Sequence, residues 1–208
     1  IYTDDISEPK NLLHAVIGYS NCSKGVIKKI DYKDVLSSEG VVDIITEKDI
    51  EGINDVGPIF KGDKIFTSKN IEYYGQPIFA VIAKTNNLAK KAALKVKIDL
   101  KISKPIVSIE EALKKKSFVL KPKHLTRGNI KDGFKKSDNI LKGKLYSGGQ
   151  DHFYLEGQIA MTIPQEDNNF LVYSSTQHPS ETQQIIGKVL KQNYNSIHVI
   201  VRRIGGGF

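Results

Sequence analysis

The chain contains very little cysteine, methionine or tryptophan, and these shortages limit the chemistry that it can perform. Its 208 residues include one cysteine, one methionine and no tryptophan. With Cys22 alone, the chain cannot form an internal disulfide or supply the thiolate cluster that holds zinc or an iron–sulfur centre. We therefore expect any redox metal to be held by other means.

Long apolar runs are also absent from the sequence. No stretch reaches the roughly 18 consecutive apolar residues of a membrane-spanning helix. The first residues lack the basic and apolar pattern of a secretion signal. These features favour a protein of the cytoplasm.

Because the chain begins at Ile1 and ends at Phe208 inside a glycine run, we expect it to be a fragment of a longer chain.

The net charge of +8 raises the question of a nucleic acid or acidic membrane as partner, since 31 basic residues face 23 acidic ones. The lysines, however, are scattered through nearly every segment and are not interleaved with aromatic side chains. This distribution favours a solvated, lysine-rich surface over a polyanion site. The alternative predicts an affinity for DNA that falls as salt concentration rises.

The pattern of apolar residues predicts strands mixed with helices, an α/β and α+β fold class. In the first half, the continuous apolar run Ile78–Ala83 predicts a buried strand, and Asn87–Leu94 predicts an amphipathic helix that packs on it. Ser108 and Glu111 form a capping-box pattern that predicts a helix over Ile109–Lys115. Further strands are predicted over Leu12–Gly18, Gly25–Asp31, Val41–Thr46 and Lys95–Lys101.

A polar stretch with proline and glycine divides the chain into two predicted domains. We place a first domain at residues 1–115, a linker at 116–137 and a second domain at 138–208. In the second domain, Gln158–Pro164 and Phe170–Ser175 predict a hairpin. Pro179 predicts the first turn of a helix, and His198–Arg203 predicts a final strand.

Two glycine-rich segments are the candidates for a ligand site. Gly148-Gly149-Gln150 and Gly205-Gly206-Gly207-Phe208 both let the backbone approach a ligand closely, because glycine has no Cβ. Backbone N–H groups in such a loop can bind an oxo or phosphate group. The neutral carboxamide of Gln150 offers two further N–H donors.

The order and spacing of these segments resemble the xanthine dehydrogenase and aldehyde oxidase family, and within it the molybdenum-binding subunit of the bacterial enzymes. The resemblance spans essentially the whole chain and implies an α/β hammerhead domain followed by the first part of a molybdenum-cofactor-binding domain. The segments that carry it are Tyr2–Asp5, Asn54–Pro58, Tyr74–Pro77, Gly148–Gln158, Ser174–Pro179 and Arg202–Phe208.

The resemblance implies a molybdenum–molybdopterin cofactor that hydroxylates xanthine or hypoxanthine at a molybdenum-hydroxide centre, as in purine catabolism. Electrons would then pass through iron–sulfur clusters and FAD, carried by partner domains or subunits, to NAD. An oligomeric parent protein is expected. An aldehyde oxidase or another heterocycle hydroxylase is the alternative within the family. A non-catalytic assembly module that binds the partner subunits is the alternative from a different class.

The resemblance also implies roles for individual residues. Gln150 matches the glutamine that hydrogen-bonds an oxygen ligand of molybdenum, and Gly149, Gly206, Gly207 and Phe208 match the loops beside the cofactor. Gln150 and Phe208 are expected near the metal's ligands, with no side chain of this chain bound directly to molybdenum. The family's general-base glutamate has no counterpart in these residues, so we expect no catalytic residue here and no activity from the chain alone.

Overall fold

The computed structural model describes residues 1–207, and it divides the chain into two compact units. One unit contains Ile1–Pro105 together with the chain from Tyr154 onward, and the other contains Ile106–Phe153. The site prediction for Phe208 lies outside the described residues. The domain boundaries predicted from the sequence remain a prediction.

The regular elements follow the order expected of a mixed α/β chain. The strands are β1 (His14–Tyr19), β2 (Gly25–Asp31), β3 (Val41–Ile45), β4 (Asn70–Ile71), β5 (Pro77–Ala83), β6 (Lys97–Ile102), β7 (Ala160–Pro164), β8 (Phe170–Ser174) and β9 (Ile197–Ile200). The helices are α1 (Lys33–Leu36), α2 (Asn86–Ala93), α3 (Ile109–Lys114), α4 (Ile130–Lys135) and α5 (Pro179–Leu190). Within residues 1–207, no helix is both long and apolar enough to cross a bilayer.

Strand β5 lies at the centre of the first sheet, between β1 and β3, and pairs antiparallel with both. Its continuous apolar sequence is explained by burial, because Phe79, Val81 and Ala83 are fully inaccessible to solvent. Helix α2 packs against this sheet, and its Ala89 and Ala92 join the same core. The predicted buried strand and its packing helix are confirmed.

The second sheet, ordered β4-β2-β6, adds Ile27 and Ile71 to the same core. Between the two sheets, Tyr32 packs edge-on against Phe79, with the ring centroids 5.2 Å apart. Burial, with a smaller contribution from the negative charge of Asp49, raises the pKa of the Tyr32 phenol to about 12. The folded protein therefore favours the neutral phenol of Tyr32 over the phenolate.

The third sheet combines an antiparallel and a parallel pair. β7 and β8 form the predicted hairpin, whose turn places Asp167 and Asn168 at positive φ, a conformation that Asp and Asn tolerate. β8 and β9 are parallel, a pairing that requires a crossover, and α5 supplies it with Pro179 in its first turn. The predicted hairpin and helix are confirmed.

The C-terminal end of α5 is joined to the loop that contains Gly52. The N–H of Gly52 donates to the carbonyl of Val189 (2.8 Å), and the N–H of Ile53 donates to the carbonyl of Lys188 (3.1 Å). A Cβ on Gly52 would lie 1.9 Å from the carbonyl oxygen of Lys188, so this approach requires glycine. Residues from both predicted domains therefore belong to one compact unit.

The unit Ile106–Phe153 contains α3 and α4 and otherwise no regular structure. The Ser108 hydroxyl accepts from the N–H of Glu111 (3.2 Å), which confirms the predicted N-cap and helix. α4 was not predicted, because its six residues lie in a polar, glycine-containing stretch typical of a linker. Asn129 caps α4 by accepting from the N–H groups of Lys131 and Asp132.

Candidate functional site

Three chain segments meet at one edge of the third sheet, and the topology explains why. β8 and β9 are parallel, so the segments that follow them, at 175–177 and 201–207, leave the sheet at the same edge. β7 is antiparallel to β8 and begins opposite Ser174, so the segment that precedes it, 154–159, reaches that edge too. All three segments belong to the same compact unit.

A recess of about 320 Å³ lies between these segments. Hydroxyl, carboxamide and backbone groups line much of it, so the recess is suited to a polar ligand. Its lining residues are Tyr154, Glu156, Gly157, Gln158, Ser175, Thr176, Gln177, Ile204 and Gly206.

Ser175 joins the segment 175–177 to the segment 154–159 by hydrogen bonds. Its N–H donates to the carbonyl of Ile159 (3.0 Å), and its hydroxyl accepts from the N–H of Ile159 (2.9 Å). On the same side, the side-chain amide of Gln158 donates to the phenol oxygen of Tyr154 (2.8 Å). The recess therefore has a hydrogen-bonded wall.

Glu156 connects the 154–159 segment to the glycine run. Its side chain is buried, and its Oε2 accepts from the N–H of Gly205 (3.2 Å). In return, the carbonyl of Gly205 accepts from the N–H of Leu155 (2.9 Å). The Oε1 of Glu156 accepts from the N–H of Thr3 (3.0 Å). The glycine run thus begins at Gly205, whose N–H and carbonyl are both hydrogen-bonded.

Glycine is required at the first two positions of the run for steric reasons. A Cβ on Gly205 would lie 2.3 Å from the Cβ of Glu156, and one on Gly206 would lie 2.1 Å from the Cβ of Tyr154. Gly206 also has φ +154°, in a region that side chains disfavour. A Cβ on Gly207 would meet only ordinary contacts, the nearest being the Gln177 carboxamide at 3.5 Å.

Gln177 places a carboxamide beside the glycine run. It lines the recess, and it also lines a more open hollow formed by the α5 N-terminus and the segment after β9. Among residues 1–207, nothing pairs with its side-chain amide or with the N–H groups of Gly206 and Gly207. Several uncommitted N–H donors are therefore concentrated at one place.

Arg202 and Arg203 lie in the segment after β9, where the sequence predicted a strand as far as Arg203. The strand ends at Ile200, where its pairing with β8 stops at Tyr173. Both arginines line the open hollow beside Gln177. The Arg202 guanidinium lies over the Tyr173 ring, 5.4 Å from its centroid.

The predicted site residues fall into different parts of the structure. Gly206 and Gly207 lie in the run beside the recess. Gly149 and Gln150 lie in the Ile106–Phe153 unit, in an exposed stretch without regular structure. A Cβ on Gly149 would meet nothing within 4 Å. The roles assigned to Gly149 and Gln150 remain predictions.

Among the described residues that line the recess, only Gly206 was predicted as a site residue, and the missed residues that contact the glycine run most closely include Glu156 and Gln177. Both lie inside segments that carry the family resemblance, Gly148–Gln158 and Ser174–Pro179, but no local spacing distinguishes their side chains. Glu156 pairs with backbone groups 153 and 49 positions away, which only the folded chain brings together. Within residues 1–207, no group of three or more His, Cys, Asp and Glu side chains could hold a metal ion.

Two family models match the chain and divide it between them. Residues 1–104 match the aldehyde oxidase and xanthine dehydrogenase a/b hammerhead domain. Residues 111–208, which include the recess and the glycine run, match the molybdopterin cofactor-binding domain. The fold class and the order of domains predicted from the sequence are confirmed.

Individual relatives agree with these matches. The chain is 36% identical over 208 residues to a xanthine dehydrogenase of Dictyostelium discoideum and 37% identical over 210 residues to aldehyde oxidase 2 of Mus musculus. All of this chain aligns in both cases, but it spans only 15% of each relative. The aldehyde oxidoreductase of Desulfovibrio gigas shares the fold, with a TM-score of 0.81 and 24% identity over 97% of this chain and 24% of that one. The chain therefore belongs to the aldehyde oxidase and xanthine dehydrogenase family.

Proposed function

We propose that this chain forms part of a molybdenum hydroxylase that oxidises xanthine or hypoxanthine in the cytoplasm, as a step of purine catabolism. The observation that carries the proposal is the recess at the edge of the third sheet. There, the donors of Gln177, Gly206 and Gly207, which have no hydrogen-bond partner among residues 1–207, lie within the stretch that matches a molybdopterin cofactor-binding domain.

The residues at the recess fit an anionic, oxygen-rich cofactor. Neutral carboxamide and backbone N–H donors can hold oxygen atoms without adding a competing negative charge. The Glu156 carboxylate also lines the recess, but its two oxygens already accept from the N–H groups of Thr3 and Gly205. Gly207 leaves open the space that a side chain would fill, and the exposed Arg203 adds positive charge beside Gln177. When bound, molybdenum–molybdopterin supplies the two-electron oxidation of a carbon that receives oxygen from water.

In this proposal the chain's own residues position the cofactor and do not transfer protons. Gln177 and the glycine run would donate hydrogen bonds to oxygen atoms at the reacting end of the cofactor, and preorganised donors of this kind stabilise charge that develops during a reaction. Gln150 and Gly149 are proposed to bind the cofactor, as the sequence resemblance implies. Iron–sulfur and FAD domains or subunits would take the electrons to NAD.

Aldehyde oxidation is the second candidate. The relatives with similar identity to this chain include an aldehyde oxidase as well as a xanthine dehydrogenase. The recess supports either substrate class, since its described lining is mostly polar and carries no feature that distinguishes a purine from an aldehyde.

The test uses the intact protein, isolated with its natural partner chains. We expect it to contain molybdenum by mass spectrometry and to transfer ¹⁸O from labelled water into a substrate. A panel of hypoxanthine, xanthine, an aromatic aldehyde and quinoline separates the two substrate classes. Absence of molybdenum and pterin from the intact protein would refute the proposal.

Carboxamide variants test the site itself. Loss of a preorganised hydrogen-bond donor to a reacting oxygen lowers kcat by about 100- to 1000-fold. We expect this loss for Gln177→Ala from the geometry, and for Gln150→Ala from the sequence resemblance. Gln165→Ala, in the exposed hairpin turn, is the matched control and should leave kcat unchanged. A variant that behaves like the control excludes its carboxamide from the site.

A further inference from the structure

Glu156 is a buried carboxylate without a basic partner among residues 1–207. Only 6% of its surface is exposed, and none of the ion pairs in the described chain involves it. Burial of a carboxylate is unfavourable unless hydrogen-bond donors replace the lost water. Its two oxygens accept one backbone N–H each, from Thr3 and from Gly205.

The two donors belong to segments that are far apart in the chain. Thr3 begins a single 3₁₀ turn, Thr3–Asp5, and Gly205 begins the glycine run. Thr3 is itself buried, and its hydroxyl makes no hydrogen bond within the described residues. The polar contact from Thr3 to Glu156 is therefore made by its backbone N–H.

Both the N–H and the carbonyl of Gly205 are hydrogen-bonded to the segment Leu155–Glu156. Its N–H donates to the Glu156 side chain, and its carbonyl accepts from the backbone N–H groups of Leu155 (2.9 Å) and Glu156 (3.4 Å). The next residue, Gly206, has positive φ and lines the recess. A fixed orientation at Gly205 thus sets the direction in which the following N–H groups point.

We propose that Glu156 is the positioning residue of the glycine run, a carboxylate that ties Gly205 to the N-terminal turn and so fixes the donors that face the cofactor. This inference rests on the proposed function, because it assigns the recess to molybdopterin. Glu156 acts through the backbone of Gly205, whose N–H donates to its Oε2.

The test compares Glu156→Gln with Glu166→Gln in the intact protein. The first variant keeps the shape of the side chain but turns one acceptor into a donor, so one of the two N–H groups loses its partner. The second makes the same change on an exposed glutamate of the hairpin turn in the same unit. Hydrogen–deuterium exchange of peptides covering residues 1–6 and 200–208 reports the two contacts. Molybdopterin content is measured on the same samples.

We expect at least about tenfold faster exchange in one of those two peptides for Glu156→Gln, with less molybdopterin per protein and exchange elsewhere unchanged. Glu166→Gln should match the wild type. Unchanged exchange in both peptides would overturn the proposal. A uniform rise across the chain would also overturn it, because it would show a general loss of stability.

Thr3→Pro provides a second variant that leaves Glu156 intact. It removes the Thr3 N–H at the first position of the 3₁₀ turn, and Tyr2 already has the extended backbone (φ −85°, ψ 175°) that precedes proline readily. We expect faster exchange in the 200–208 peptide, and an unchanged rate there would show that the N-terminal turn plays no part. Exchange is also measured on protein from a host that cannot make molybdopterin. If the wild-type protein from a host that does make molybdopterin lacked the cofactor, the proposed function would be refuted, while the exchange result would still decide the role of Glu156.

Discussion

Gly206 and Gly207 are neighbours in one glycine run, but alanine should lower the stability at Gly206 and the cofactor content at Gly207. At Gly206, φ is +154° and the new Cβ would lie 2.1 Å from the Cβ of Tyr154. At Gly207, the nearest atoms would lie 3.5 Å away, at ordinary contact distance. The pair therefore separates the steric need for glycine from any need imposed by a ligand.

The magnitude for Gly206→Ala follows from these two contributions. Placing a side chain in a backbone region reserved for glycine costs about 1–3 kcal/mol, and overpacking costs about 1–3 kcal/mol. The two penalties arise from the same methyl group and add incompletely, so we expect the free energy of unfolding to fall by about 2–5 kcal/mol. Gly207→Ala should change it by less than about 1 kcal/mol, since it meets neither penalty.

Urea unfolding followed by circular dichroism measures this difference, because the chain has no tryptophan to report by fluorescence. With a slope of about 2 kcal/mol per M, the Gly206→Ala midpoint should fall by about 1–2.5 M. In the intact protein, Gly207→Ala should instead lower molybdopterin content, because its methyl group occupies space proposed for the ligand. Equal midpoints for the two variants would refute the steric reasoning. Normal cofactor content in Gly207→Ala would refute the proposed ligand space.

Two further predictions concern the core of the larger unit. Phe79→Ala removes a fully buried ring that packs against Tyr32 and should lower the free energy of unfolding by about 3–5 kcal/mol, whereas Phe60→Ala, at an exposed position, should change it by less than about 0.5 kcal/mol in the same urea assay. The folded-state pKa of Tyr32 is raised from 10.0 to about 12, so the contribution of Tyr32 to stability should be constant below about pH 10 and be lost as pH rises towards 12. In Tyr32→Phe, the loss of stability due to ionisation of the Tyr32 phenol should be absent. Identical dependence of stability on pH in the wild type and in Tyr32→Phe would contradict a raised pKa of Tyr32.

Much of the fold could be predicted because local patterns and tertiary environment agree. The run Ile78–Ala83 is apolar throughout, and β5 is buried between two strands and a helix. The predicted bounds of α2 were one residue late, since the Thr85 hydroxyl accepts from the N–H of Leu88 and begins the helix at Asn86.

The remaining features depend on contacts that sequence patterns do not encode. The stretch His198–Arg203 has strand-like residues, but its pairing with β8 stops at Ile200. No sequence pattern singles out Glu156, because its partners Thr3 and Gly205 are distant in the chain. The recess likewise results from parallel pairing of β8 and β9, which sets the edge at which three segments meet.

The contact between Gly52 and the end of α5 has a consequence for how this chain can diverge. Both hydrogen bonds there run from main-chain N–H groups to main-chain carbonyls, so neither depends on the side chains of Lys188 or Val189. Substitutions at those two positions can therefore change the side chains at the surface and leave both hydrogen bonds intact. A methyl group added at position 52 would instead clash with the Lys188 carbonyl and force the loop away from the end of α5.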